Sequence, residues 1–138
     1  DKVVREMINE KIWPGKITVI ADKCSKIDYS FLSEIDTIAI RYPDNELIRS
    51  LNSNLKSGIV STSINVSGEK ELNTITEIKD AWKDKVDMIY EDDSKTGNSS
   101  LIIKIDSYEK KIEVIRDPKT DESKKNLLKL NEIVKKCR

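Results

Sequence analysis

The sequence contains no histidine, and only 5% of its 138 residues are aromatic. The lack of histidine excludes His-based catalytic triads and His metal sites. It also removes the side chain that most often serves as a general base near neutral pH. Any chemistry is therefore expected to rest mainly on hydroxyls, Arg, Lys, carboxylates and backbone groups. A chain of this length suits one domain with a modest core, and we assign residues 1–138 to it.

Long apolar runs are also lacking. None approaches the roughly 20 residues of a membrane span, and the N-terminus shows no signal-peptide core, so we expect a cytoplasmic protein without membrane contact. The two cysteines, Cys24 and Cys137, have no metal spacing. They are typical of reduced thiols, although a disulfide stays open. Lys and Arg balance Asp and Glu at 25 each, so net charge favours no class of partner.

The pattern of apolar residues predicts alternating strands and helices. Short β-branched runs predict strands, and apolar side chains at helical spacing predict helices. The predicted strands are residues 17–21, 37–41, 59–61, 86–90, 101–105 and 111–115. The predicted helices are residues 2–12, a segment that reaches residue 55, a segment opened by a capping box at residues 74–77, and the tail from residue 122. Strands separated by helices and followed by a hairpin predict an α/β fold with a mixed sheet and flanking helices.

Residues 61–68, Ser-Thr-Ser-Ile-Asn-Val-Ser-Gly, are unusual because hydroxyls, an amide and a glycine follow a predicted buried strand directly. Ligands of open α/β sheets lie outside the carboxyl ends of the strands. A hydroxyl-rich turn there can offer N–H and O–H donors to phosphate or carboxylate oxygens. The alternative is a polar turn whose Ser and Asn side chains cap backbone groups. The residues alone leave both interpretations open.

The same segment resembles the Ser-Thr-Ser-Ala-Asn-x-Ser-Gly signature of the YrdC-like family, and four further matches lie in family order. Residues 13–18, Trp-Pro-Gly-Lys-Ile-Thr, resemble its Trp-Pro-Gly-Pro-x-Thr element. Residues 37–44, Thr-Ile-Ala-Ile-Arg-Tyr-Pro-Asp, resemble its Val-Ala-Val-Arg-x-Pro-Asp strand and turn. Residues 97–102 resemble its Gly-x-Glu-Ser-Thr-Val-Val strand, and Arg116 falls where the family has an Arg that closes the last strand.

This resemblance implies a twisted sheet around a concave, positively lined cavity. It also implies an L-threonylcarbamoyladenylate synthase, a nucleotidyltransferase that condenses L-threonine and bicarbonate with ATP and releases pyrophosphate. ATP would be a substrate, accompanied by Mg²⁺. A partner enzyme of the threonylcarbamoyl-transfer machinery would then pass the group to adenosine 37 of tRNA. The implied partners are therefore L-threonine, bicarbonate, ATP, that machinery and tRNA.

Carried over to the matching positions, the resemblance implies a set of binding residues. Threonine would contact Arg41, Ser61 and Ser99. The nucleotide would contact Thr37, Ser63 and Arg116, with Asn65 shaping the same loop. An Arg fork matches a carboxylate, and hydroxyls suit amino-acid and phosphate oxygens. No catalytic nucleophile or metal ligand is implied, because adenylation needs positioning and charge neutralisation.

Taken singly, these residues also fit structural roles. Arg41 could be a surface ion-pair partner, and Ser99 and Ser100 could be strand-edge hydroxyls. The two tryptophans, Trp13 and Trp82, are typical of core anchors. Thr18 is typical of an ordinary strand residue.

The chain departs from the family pattern at Ile64, which replaces an Ala, and at Lys16 and Asn98, which replace a Pro and a Glu. The family's N-terminal Pro-Thr-rich strand and Lys-x-Arg pair have no counterpart. Because the sequence opens at Asp1 without Met, we expect a domain that lacks its N-terminal part. Three hypotheses remain: a synthase seen as a fragment, a non-catalytic relative that binds nucleotide or RNA, and a structural domain that kept only the fold.

Overall fold

A computed structural model describes most of the chain. It covers residues 2–25, 27, 30–55, 57–66, 68–69, 72, 74–91, 99–106, 108–109 and 111–137. The chain divides into two compact units. Asp1–Asn54 and Asn98–Arg138 form the first, here called the sheet unit, and Leu55–Gly97 form the second, here called the loop unit. The single domain assigned to residues 1–138 stays a prediction.

The sheet unit contains a twisted mixed sheet of four strands among the described residues. The strands are β1 (Ile17–Asp22), β2 (Thr37–Arg41), β3 (Leu101–Asp106) and β4 (Lys111–Arg116), and their spatial order is β2-β1-β3-β4. Strand β1 pairs antiparallel with β2 and parallel with β3, and β3 pairs antiparallel with β4. The described α-helices are α1 (Lys2–Asn9), α2 (Glu46–Leu55), α3 (Ile75–Trp82) and α4 (Asp121–Cys137). This arrangement confirms the predicted α/β fold.

The core lies on one face of this sheet. In β3 the burial alternates, with Leu101, Ile103 and Ile105 almost fully buried and the residues between them half-buried or exposed. Such alternation means that one face of the sheet is covered and the other is open. Helices α1 and α4 supply the covering side chains, among them Met7 and Ile133. Burying one such side chain stabilises the fold by about 1.5–3 kcal/mol.

The Trp-Pro-Gly segment ties the start of β1 to the end of β2. Trp13 is buried in the core, as expected of a core anchor, and its indole Nε1 donates to the carbonyl of Ile17 at 3.0 Å. Its ring meets Tyr42 edge to face, with centroids 6.0 Å apart. The amide of Gly15 donates to the Tyr42 carbonyl at 2.9 Å. A Cβ at Gly15 would lie 3.1 Å from a backbone oxygen, so the tight approach favours glycine.

Helix α3 in the loop unit begins with the predicted capping box. The backbone N–H of Glu77 donates to the Thr74 hydroxyl, and the backbone N–H of Thr74 donates to the Glu77 carboxylate at 3.1 Å. These bonds satisfy two donors that a helix start otherwise leaves unpaired.

Helix α4 starts with a comparable but larger network. Thr120 and Ser123 exchange hydrogen bonds between their backbone N–H groups and side-chain hydroxyls, both at 3.0 Å. The Ser123 hydroxyl also donates to Asp117 Oδ1 at 2.7 Å. This bond, followed by the backbone N–H of Lys119, lowers the pKa of Asp117 to about 2. The Asp117 carboxylate is therefore part of the cap.

Two predicted strands are wrong. Residues 59–61 and 86–90, both in the loop unit, form no strand, and Val60 and Met88 there are 79% and 80% exposed. A short apolar run becomes a strand only when a neighbouring strand pairs with its backbone. Residues 61–68 therefore do not follow a sheet strand.

Two global expectations can also be compared with the structure. Cys24 and Cys137 are free thiols, the first exposed and the second buried, so the disulfide alternative is excluded. Within the described ranges, no helix has the length and apolar character needed to cross a membrane.

Candidate functional site

Four paired residues form a row across the sheet, at one end of its open face. Thr18 of β1 pairs with Arg41 of β2 and with Ile102 of β3, and Ile102 pairs with Arg116 of β4. Directly paired residues project from the same face of a sheet. We call Arg41, Thr18, Ile102 and Arg116 the transverse row. Three strand spacings separate its ends, so the two Arg Cα atoms lie about 14 Å apart.

Arg41 closes strand β2 with an exposed side chain. Its guanidinium makes no hydrogen bond or ion pair to any other residue that the structure describes. Arg41 therefore lacks, within those ranges, the ion-pair partner that its alternative role on the surface would require. Thr37 lies four residues earlier in the same strand, so it shares the face of Arg41. A planar guanidinium at a strand end is suited to bind a carboxylate with two parallel hydrogen bonds.

Arg116, by contrast, is held in place. Its Nε and Nη2 both donate to the carbonyl of Ser100 at 3.2 Å, and Nη2 also reaches the Ser100 hydroxyl at 3.3 Å. That hydroxyl lies 2.8 Å from the hydroxyl of Thr18. Ser100 is only 5% exposed, whereas Arg116 is exposed. The row therefore presents a guanidinium whose orientation is fixed by the carbonyl and the hydroxyl of Ser100.

Ser99, the serine predicted to contact threonine, has different surroundings. It lines a small depression of about 20 Å³ together with Lys16, Leu101 and Glu122, at the start of α4. Lys16 Nζ lies 3.5 Å from the carboxylate of Glu122 there. The described hydrogen bonds thus join Ser100, not Ser99, to Arg116. The sequence shows both serines, but only the hydrogen bonds show which one faces the row.

The hydroxyl-rich loop of the loop unit is shaped by Asn65. The Ser63 hydroxyl donates to Asn65 Oδ1, and Asn65 Nδ2 donates to the carbonyls of Val66 and Glu69, both at 3.0 Å. Gly68 has a φ of 86°, in the left-handed region that favours glycine. Asn65 therefore folds the turn back on itself, and its role at the nucleotide stays a prediction.

Beside this loop lies an apolar groove of about 330 Å³, here called the loop-unit groove. Ser63 and Ile64 line it from the loop, and Ile78 and Trp82 line it from α3. Ser61 and Ser63 are exposed. Binding sites for small ligands often combine apolar walls with a few polar groups. The groove could therefore accept a flat apolar group beside hydroxyl donors.

The sheet unit thus brings Thr37, Arg41 and Arg116 onto one face, and the loop unit brings Ser61, Ser63 and Asn65 into one loop. These side chains offer donors for anionic groups. No cluster of three or more Cys, Asp or Glu side chains in the described part of the chain could hold a metal ion. Mg²⁺ bound by ATP takes its ligands largely from phosphates and water, so it would belong to the substrate.

Comparison with known proteins identifies related sequences. Residues 2–117 match the family model Sua5/YciO/YrdC, whose description is Telomere recombination. A threonylcarbamoyl-AMP synthase of Idiomarina loihiensis is 33% identical over 88 residues, which are 64% of this chain and 46% of that protein. One of Pyrococcus abyssi is 24% identical over 99 residues, 71% of this chain and 29% of that protein. One of Yersinia enterocolitica is 31% identical over 68 residues, 49% of this chain and 36% of that protein.

No solved structure matches this chain. The matched segments span less than half the length of these three relatives. The family model, however, covers most of the 138 residues and includes every residue of the transverse row. The chain belongs to the Sua5/YciO/YrdC family.

Proposed function

We propose that this chain carries part of the site of an L-threonylcarbamoyladenylate synthase, which condenses L-threonine, bicarbonate and ATP for the modification of adenosine 37 in tRNA. The observation that carries the proposal is the transverse row, which presents Arg41 and Arg116 on one sheet face, on the two outer strands of the described sheet. The names of the relatives, threonylcarbamoyl-AMP synthase, support it.

In this proposal Arg41 binds the carboxylate of L-threonine. Its guanidinium has no partner among the described residues, so all of its donors can serve a ligand. Binding there exchanges water for a charge-assisted pair of hydrogen bonds. The resemblance also assigns Ser61 and Ser99 to the amino acid, but Ser99 lines the depression at the start of α4, so the proposal for the sheet unit rests on Arg41.

Arg116 binds the nucleotide. Because Ser100 already fixes its guanidinium, little side-chain entropy remains to be lost when an anion binds. Thr37 supplies a hydroxyl from the same face. For the loop unit, the resemblance assigns Ser63, bonded to Asn65, to the nucleotide. ATP enters as a substrate together with Mg²⁺.

The residues act by holding and orienting the reactants. In the reaction the threonine nitrogen bonds to the carbon of bicarbonate, with loss of water. An oxygen of the resulting carbamate then attacks the α-phosphorus, and pyrophosphate leaves. Arg41 and Arg116 would fix the threonine and the nucleotide in position. Holding reactants in the reactive geometry can lower the activation free energy by about 7–11 kcal/mol.

The test is pyrophosphate release from ATP, L-threonine and bicarbonate, run on the 138-residue chain and on a version extended through the upstream coding sequence. The extended protein should release pyrophosphate, and the short chain should release very little. The family's Lys-x-Arg pair and Pro-Thr strand have no counterpart in the short chain, and each donor to transferring phosphate is worth about 3–4 kcal/mol.

The remaining outcomes separate the hypotheses. Robust release by the short chain would show that its own lysines replace the missing pair. Nucleotide or RNA binding by both versions without turnover would favour a non-catalytic relative. Neither binding nor turnover would favour a structural domain.

A further inference from the structure

We propose that the Thr18 hydroxyl is a further ligand-binding group, which donates to the same carboxylate that Arg41 binds. Thr18 would be the last member of a hydrogen-bond chain that starts at Arg116 and passes through Ser100. The identity of the ligand as L-threonine rests on the proposed function, whereas the chain itself rests on the geometry of the transverse row.

The first step is the position of Thr18. It is paired directly with Arg41 across β1 and β2. Residues paired in this way have Cβ atoms about 4.5–5.5 Å apart and project from the same face. Thr18 is half-buried and Arg41 is exposed. Where the Arg41 side chain extends over β1, a carboxylate bound by its guanidinium would lie within reach of the Thr18 hydroxyl.

The second step is the direction of the hydrogen bonds. A guanidinium has donors and no acceptor, so the Ser100 hydroxyl oxygen must accept from Arg116 Nη2 at 3.3 Å. The hydroxyls of Ser100 and Thr18 are 2.8 Å apart, and either could donate. If Thr18 donated, the hydrogen of the buried Ser100 hydroxyl would have no acceptor in the described part of the chain. A buried donor without a partner is unfavourable, so Ser100 donates to Thr18.

The third step follows from that direction. Once its oxygen accepts from Ser100, Thr18 keeps its own hydrogen, for which the described residues offer no acceptor. The hydrogen is available on the open face beside Arg41. Hydrogen bonds in a chain polarise one another, so the positive charge of Arg116 makes Thr18 a better donor. The hydrogen-bond chain would thus connect Arg116 to a ligand at Arg41, and the charge of Arg116 would strengthen the binding of an anion there.

The experiment uses the 138-residue chain, labelled with ¹⁵N and titrated with L-threonine and, separately, with acetate. Thr18→Val keeps the size and β-branching of the side chain but removes the hydroxyl, and we expect it to weaken L-threonine binding about tenfold. Thr18→Ser restores the hydroxyl and should bind within about threefold of the original chain. Ser53→Ala, which removes an exposed hydroxyl in α2, should leave the affinity unchanged.

Acetate distinguishes this inference from the proposed function, because it offers the carboxylate without the amino acid. Weaker binding of both probes by Thr18→Val, with recovery in Thr18→Ser, supports the inference. Unchanged L-threonine affinity in Thr18→Val overturns it and leaves the proposed function standing. If Thr18→Val weakens acetate binding and the original chain binds L-threonine no more tightly than acetate, the inference is supported and the proposed function is contradicted. No response to either probe overturns the inference.

Discussion

The sheet unit and the loop unit hold their candidate site residues in different ways. In the sheet unit, strand pairing places Arg41 and Arg116, and a core with Ile103 fully buried supports the strands from the other face. In the loop unit, no described residue is buried. Its loop is organised by the side chain of Asn65, and its helix by the Thr74 capping box.

This difference indicates how stably each unit holds its candidate binding residues. Regions with few buried apolar contacts open at a lower free energy than the core. We therefore expect the two anchoring guanidinium groups to stand on the most stable part of the chain. The hydroxyl loop should open more easily, and mutations in the two units should have effects of different size.

The strongest test of this contrast compares an isoleucine from each unit. Ile103 is fully buried in β3, whereas Ile75 in α3 is 41% exposed. Ile103→Ala should lower the free energy of unfolding by about 2–5 kcal/mol, because it leaves a cavity in the core. Ile75→Ala should lower it by about 1 kcal/mol or less. Urea unfolding measures both changes. Equal losses of unfolding free energy would contradict the expected difference in stability between the two units.

Changing Arg41 to Ala should act on binding and not on folding. We expect L-threonine affinity to fall about tenfold or more, since a charged hydrogen-bond partner is lost. The melting temperature should stay nearly constant, because the side chain is exposed at a strand end. Arg49→Ala, which removes another partly exposed Arg that pairs with Asp44, is the control and should bind threonine normally. A collapsed melting temperature with unchanged affinity would make Arg41 a structural residue.

Ile64→Ala tests how the loop accommodates an isoleucine at a position where the family signature has alanine. Ile64 is 42% exposed and lines the loop-unit groove. Its replacement should lower the free energy of unfolding by about 1 kcal/mol, because the shorter side chain loses part of its apolar contact with the groove. Val60→Ala, at a position 79% exposed, should change it little. Stabilisation by Ile64→Ala would show instead that the isoleucine strains the loop.

The smallest effect concerns the α4 cap of the sheet unit. The pKa of Asp117 is lowered to about 2, below the value of about 3.9 in an unfolded chain. Its ionised form therefore stabilises the fold above about pH 4, and this contribution disappears as the pH falls toward 2. Asp117→Asn should melt earlier than the original chain at pH 7, and the gap should close in acid.

Thermal unfolding followed from pH 7 to pH 2 measures that gap. Asp121→Asn removes a fully exposed carboxylate four residues later and should show a smaller gap at pH 7. A gap for Asp117→Asn that stays constant down to pH 2 would contradict the role of the Asp117 carboxylate.

Much of the sheet unit was predictable because its local signals agree with its packing. The β-branched runs in β1 and β2 and the hairpin of β3 and β4 are strands. In the loop unit, the local signal of the Thr74 capping box was also correct, since it opens α3. The runs around Val60 and Met88 carry the same local signal without a strand beside them. Sequence pattern reports the propensity of a segment, but pairing depends on which segments meet in space.

The site was predictable only in part, for a similar reason. The resemblance pointed to Arg41 and Arg116, and the register places both on one face. The hydroxyl pair of Thr18 and Ser100 joins residues 82 positions apart in the chain. No single-sequence pattern reveals such a contact, because both residues are ordinary in their local strands.

The parallel pairing of β1 with β3 has a consequence for synthesis of the chain. Strands β1 and β2 are made before β3, and the Thr18–Ser100 hydrogen bond joins residues 82 positions apart. At about 5–20 residues per second, a ribosome needs roughly 4–16 s to make the intervening segment. The pairing of β1 with β3, and with it the transverse row, can therefore form only after that interval.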